Sequence, residues 1–118
     1  MDRDPASILD IVLAGREILE FVGAMTRIEL KRNRMAYAAV QRNLEIMGEA
    51  TKRLSLEFRQ SLPQIPWKEM AGMRDILAHR YEEIEIDIVW VAIKKRIPEI
   101  LQVLEPLCPS SPPERPTT

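Results

Sequence analysis

One histidine and one cysteine occur in 118 residues. A single cysteine forms no internal disulfide, which fits a reducing cytoplasm. One histidine and one cysteine are too few for the usual zinc sets, so no metal site is expected. The four glycines stand apart, at Gly15, Gly23, Gly48 and Gly72, and build no phosphate-cradling loop. No apolar run approaches the roughly 18 residues that span a bilayer. The opening Met1-Asp2-Arg3-Asp4-Pro5 is too acidic for a signal peptide. A net charge of −1 argues against coating nucleic acid by bulk electrostatics. Local basic clusters remain, at Arg27, Lys31, Arg32 and Arg34 and at Lys94-Lys95-Arg96. Such runs most often form solvated helix faces.

What is present is helical periodicity in one domain. Asp4 can cap a first helix with Pro5 in its first turn, and Ile8, Ile11, Val12, Ile18, Leu19 and Val22 line its apolar face. Gly23 ends it. A short turn or one-turn helix follows over 26–32. Val40, Leu44, Met47, Thr51, Leu54 and Phe58 step by three and four, predicting a long helix from Asn33 or Arg34 to about Phe58. Leu62-Pro63-Gln64-Ile65-Pro66 breaks the chain. A third helix begins at Pro66, buries Trp67, Met70, Met73, Ile76 and Leu77, and ends between His79 and Glu82. Asp87 is read as the cap of a last helix carrying Val89, Trp90, Ile93, Ile97, Ile100, Leu101 and Leu104, with Pro98 kinking it. No strand signal or repeat is seen. The expectation is an all-α, up-and-down bundle of four to five helices over 1–107, with a flexible proline-rich tail over 108–118. A bundle this small buries its wide apolar faces incompletely, so part of that surface is expected in a subunit interface.

The densest chemistry lies in Met73-Arg74-Asp75-Ile76-Leu77-Ala78-His79-Arg80-Tyr81. Arginine offers a planar fork to phosphate, and histidine exchanges protons near neutral pH. Cleaving RNA without metal needs a base for the ribose 2′-hydroxyl, an acid for the leaving 5′-oxygen and a cation for the phosphorane. His79 can take either proton role and Arg74 the phosphate. Five helical residues set those two about 140° apart, so convergence needs the helix to end near His79 or Arg74 to reach along a groove. Asp75, four before His79, can orient the imidazole. Tyr81 can stack on the guanidinium or on a base. If both proton roles belong to histidine, two chains must share the site. The plain alternative is a histidine that only complements a helix C-terminus. Cys108, without a histidine near it in sequence, is a poor nucleophile candidate.

The spacing Arg74-x4-His79-x-Tyr81 resembles the signature of HepT-like proteins of the HEPN superfamily. Val40 to Ala50, Ile65 to Arg74, Asp87-Ile88-Val89-Trp90 and Ile97-Pro98-Glu99 resemble further stretches of that family, so the likeness covers about residues 5–107. It implies a helical bundle that forms a homodimer or higher even oligomer, with motifs facing a shared cleft. It implies a cytoplasmic, metal-independent endoribonuclease toxin of a prokaryotic type VII-like toxin–antitoxin pair, using no cofactor. Catalysis maps onto Arg74 and His79, with Asp75 and Arg80 supporting. The implied partner is an MNT-type nucleotidyltransferase antitoxin that transfers AMP to Tyr81. Relatives often carry glycine where Arg80 stands, and a larger side chain there narrows the cleft or adds a phosphate contact. The competing reading is a non-catalytic nucleotide- or protein-binding HEPN module that partners such a nucleotidyltransferase.

Overall fold

The computed structural model describes residues 3–79 and 82–108, without the side chains of 74–79 and 82–84. Its regular elements are helical: α1 (Asp4–Val22), α2 (Arg27–Arg32), α3 (Arg34–Arg53), α4 (Leu56–Ser61), α5 (Trp67–His79), α6 (Glu82–Val91) and α7 (Ile97–Leu104). A π-helical turn over Ala92–Arg96 joins α6 to α7, and a 3₁₀ turn, Glu105–Leu107, follows. Helix α3 packs between α1 and α5, and α7 returns against α1, which is the expected all-α bundle. Among the described residues no helix is long and apolar enough to cross a membrane. Apart from Cys108, the tail lies outside the described residues.

The apolar stripes read from the sequence form the core. Ile11, Val12 and Ile18 of α1, Val40 of α3, Val89 of α6 and Leu104 of α7 have no solvent exposure. Gly23 closes α1 with φ of 50°, donating its N–H to the Leu19 carbonyl at 2.9 Å. That left-handed conformation suits a residue without Cβ. Gly15 lets α7 approach: a Cβ there would sit 3.2 Å from Leu101 Cδ2. Thr26 and Glu29 form a reciprocal capping box on α2, and Asn33 caps α3 through Ala36 N–H at 3.0 Å.

Three expectations are corrected. Asp4 does not cap α1. It is the helix's first residue, and its buried carboxylate accepts from Ser55 N–H at 2.8 Å and Ser55 Oγ at 2.7 Å. The tertiary donors take the group that local sequence offered to the helix end. Burial would push the Asp4 carboxyl up, but the Ser55 hydrogen bonds prevail and hold it below the usual carboxylate range. The second long helix ends at Arg53, not Phe58. Leu54 is extended, with φ of −66° and ψ of 143°, and Ser55 caps a separate α4 by accepting from Phe58 N–H at 3.1 Å. The apolar spacing continued across this corner because Leu54 is buried at the turn and Phe58 of α4 packs, partly buried, against the same core. Asp87 is no cap either. Helix α6 already begins at Glu82, and Asp87 lies within it as the ion-pair partner of Arg27. An acidic run Glu82-Glu83-Ile84-Glu85 suits a helix N-terminus by its charge.

Pro98 leaves its mark one turn upstream. It supplies no N–H and its ring crowds the carbonyl four residues before. The chain widens there, with Ile97 N–H donating to the Ala92 carbonyl five residues back. The helical run thus passes the proline through a π turn.

Candidate active site

The scaffold of the site is α5, and its start is firmly anchored. The Trp67 indole N–H reaches the Arg59 carbonyl at 2.9 Å and the Leu62 carbonyl at 3.0 Å. Phe58 packs edge-on to Trp67, with centroids 6.2 Å apart. Met70 and Met73 turn inward and share an apolar cavity of about 30 Å³ with Leu44 and Met47 of α3 and with Ile97 and Ile100 of α7. From the π turn, Arg96 Nε pairs with Glu69 Oε2 at 3.1 Å. The expected buried positions Ile76 and Leu77 have side chains outside the described residues.

Arg74 and Asp75 fall in the second half of α5, and His79 is its last residue. The helix ends within the expected window of 79–82. Their side chains, and the whole of Arg80 and Tyr81, lie outside the described residues. The helix register still separates them. Residue 74 comes one turn after Met70, about 40° around the axis. Residue 79 comes two turns after Gly72, about 20° around the axis. A Cβ at Gly72 would meet nothing within 4 Å, so that face of α5 is open.

Beside this open face runs a groove of about 750 Å³ between α5 and the α6–π segment. Lys68, Glu69, Gly72 and Met73 form one wall; Asp87, Ile88, Val91 and Arg96 stand opposite. Its lining is mostly apolar with a charged rim.

At the end of the bundle where α5 stops lies a polar cluster that the sequence reading missed. Glu85 of α6 is 5% exposed. Its Oε2 accepts from Tyr37 Oη at 2.7 Å and from Gln41 Nε2 at 2.9 Å, both on α3. Its buried Oε1 meets no donor among the described residues. Tyr37 and Gln41 sit one helical turn apart and so present one face, but nothing local marks Glu85 as inward among its acidic neighbours.

The other candidates take lesser parts. Arg27 is engaged by Asp87, while Lys31, Arg32 and Arg34 are exposed on the α2–α3 corner. Lys94 stands 4.9 Å over the Trp90 ring. Trp67 and Trp90 pack half-buried against the core. Burial pushes the Cys108 thiol up; Arg16 lowers it and Glu105 raises it, leaving it above the usual thiol value. A raised thiol is a weaker nucleophile at neutral pH.

Comparison with known proteins matches residues 11–107 to the family described as Ribonuclease HepT-like. "Putative RNase MJ1380" of Methanocaldococcus jannaschii is 37% identical over 100 residues, covering 85% of this chain and 92% of that one. "Putative RNase TTE0752" of Caldanaerobacter subterraneus is 39% identical over 99 residues, 83% of this chain and 88% of the other. "Probable ribonuclease HepT" of Thermococcus cleftensis is 37% identical over 98 residues, 83% and 89% respectively. No solved structure matches the chain at a significant level. With a family match over nearly the whole bundle and relatives of this identity, the chain belongs to the ribonuclease HepT-like family.

Proposed function

We propose that this protein is a metal-independent endoribonuclease, the toxin of a toxin–antitoxin pair. The observation that carries the reading is the family match across 11–107, which spans Arg74-x4-His79-x-Tyr81. In this reading His79 removes the proton of a ribose 2′-hydroxyl, the oxygen attacks phosphorus, and the 5′-oxygen leaves with a proton from a second histidine. The products are a 2′,3′-cyclic phosphate and a 5′-hydroxyl. Arg74 grips the scissile phosphate with its fork and offsets the charge that develops there.

The register of α5 supports a shared site. Residues 74 and 79 lie about 140° apart on a helix that stays regular to His79. With one histidine per chain, two-histidine acid–base cleavage needs a second chain. A two-fold dimer supplies it and covers the apolar groove beside α5. Asp75 orients the imidazole and Arg80 adds a phosphate contact. An MNT-type nucleotidyltransferase is the partner, and AMP placed on Tyr81 is the means of neutralisation. The decisive experiment is cleavage of a defined RNA in EDTA by the wild type and by His79→Ala. Cleavage lost with the histidine and indifferent to chelator supports the reading; equal cleavage by both proteins removes it.

A further inference from the structure

Charge is unevenly placed along this chain. Residues 27–42 hold five of its 17 lysines and arginines and one of its 18 acidic residues, a net charge of +4 in a chain of −1. Arg27 is spent on Asp87, and the one acid, Glu29, is occupied in the capping box of α2. Lys31 and Arg32 close α2, where a cation favours the helix end. Arg34 opens α3, where a cation is disfavoured, and no acid stands in that first turn to offset it. Helix stability accounts for Lys31 and Arg32 but not for Arg34. Arg32 and Arg34 are exposed, and neither has an ion-pair partner among the described residues.

On α3, Arg34, Ala38 and Arg42 follow at intervals of four, each about 40° around the axis from the last. They form one exposed strip about 12 Å long, with the small Ala38 leaving its middle unobstructed. Arg42 meets Glu45 at 3.6 Å, but the two side chains are 68% and 39% exposed, and such a pair is weak and screened by salt. Tyr37 and Gln41 lie about 60° and 20° to one side of Arg34, and they hold Glu85 of α6. The strip thus borders α6. That helix starts at Glu82, one turn before Glu85, and α5 ends at His79, three residues earlier. Three chain steps and one helical turn keep the His79 backbone within roughly 17 Å of that of Glu85. One RNA strand can reach both the strip and the end of α5.

We propose that the Arg34–Ala38–Arg42 strip of α3, joined by Arg32 of α2, binds the sugar–phosphate backbone of the RNA substrate beside the cleavage site. Charge sets the occupant. A row of exposed guanidinium forks fits a chain of phosphates, and each contact releases a counterion from the strand. The strip supplies affinity and alignment but reads no base. It is a local site on an acidic chain, so it holds one part of the strand and does not coat the whole of it. The ligand class rests on the ribonuclease reading, and a bound strand is detectable whether or not it is cut.

Binding is read first, apart from cleavage. A fluorescent single-stranded RNA of mixed sequence, 2′-O-methylated throughout so that it lacks the attacking hydroxyl, is titrated with the full chain over a range of salt. Arg34→Gln/Arg42→Gln is expected to bind about tenfold more weakly, with the slope of log affinity against log salt reduced by about 1.4, the value for two phosphate contacts on a single strand. Arg34→Lys/Arg42→Lys retains both charges and is expected to keep most of that slope. Arg16→Gln/Lys52→Gln removes the same charge elsewhere and is expected to stay within about twofold of the wild type. An equal loss in that control overturns the proposal, since bulk charge then explains the binding. Unchanged affinity and slope in Arg34→Gln/Arg42→Gln overturn it too; if that variant also escapes a co-expressed nucleotidyltransferase, the strip serves an acidic protein face instead. With cleavable RNA the loss is expected in KM rather than in kcat. Wild-type protein that binds through the strip and cuts nothing leaves the strip standing and removes the enzymatic reading. Cleavage at limiting RNA that is the same in wild type and Arg34→Gln/Arg42→Gln does the reverse.

Discussion

Asp4 accepts both the backbone N–H and the hydroxyl of Ser55, at 2.8 and 2.7 Å, across 51 residues of sequence. This joint ties the first turn of α1 to the corner that separates α3 from α4. Asp4→Ala should cost about 2 kcal/mol, the usual scale for stranding donors from a charge-assisted pair. The folded-state pKa of Asp4 lies below its ordinary value of 3.8, so the contribution is complete above that value and fades as pH falls below it. Urea unfolding at pH 7 and pH 3 checks the sign. The gap between wild type and Asp4→Ala should be smaller at pH 3 than at pH 7.

Catalysis should fail at two positions for different reasons. His79→Ala removes proton transfer and should slow cleavage by about 10²–10⁴-fold while the bundle stays folded. Arg74→Lys retains the charge but loses the planar fork, and should also be impaired. The product should carry a 2′,3′-cyclic phosphate, detectable by its resistance to direct ligation. Products with 5′-phosphates, formed only when divalent metal is present, would contradict the mechanism.

The one-histidine chain should be a two-fold dimer in dilute solution. Sedimentation and small-angle scattering measure this directly. Placing a charge on the apolar wall of the groove, as in Val91→Glu, should weaken the dimer and its cleavage together; Val91 is 48% exposed in the single chain. A monomer with full activity would rule out the shared site.

Tyr81 should be the control point. AMP on its hydroxyl adds a negative phosphodiester and a bulky base beside the motif, which repels an RNA phosphate and occupies Arg74. Tyr81→Phe should retain much of the cleavage activity and remain toxic beside a co-expressed nucleotidyltransferase. Mass spectrometry of the neutralised wild-type pair should find AMP on Tyr81. Full neutralisation with an unmodified tyrosine would mean inhibition by binding.

Much of this molecule was legible along the chain because it depends on local periodicity. Ile8, Ile11, Val12 and Ile18 recur at helical spacing, and burial of that stripe follows wherever the helix docks. Gly23 and Asn33 end and begin helices through bonds within one turn, so their roles were visible too. The Arg74-x4-His79-x-Tyr81 spacing likewise needs no fold to be seen, and it led to the family that the comparison then showed. Tertiary structure decided the rest. Asp4 left its own helix for Ser55, Asp87 met Arg27 from 60 residues away, and α3 stopped at Arg53 within an unbroken apolar pattern. Glu85 went inward among acidic neighbours because Tyr37 and Gln41 wait on another helix. A polar side chain's local preferences are worth a kilocalorie or so, and any well-placed donor across the bundle outweighs them. Apolar periodicity is the sum of many residues and survives, whereas each polar partnership is settled by which two surfaces the packed helices bring together.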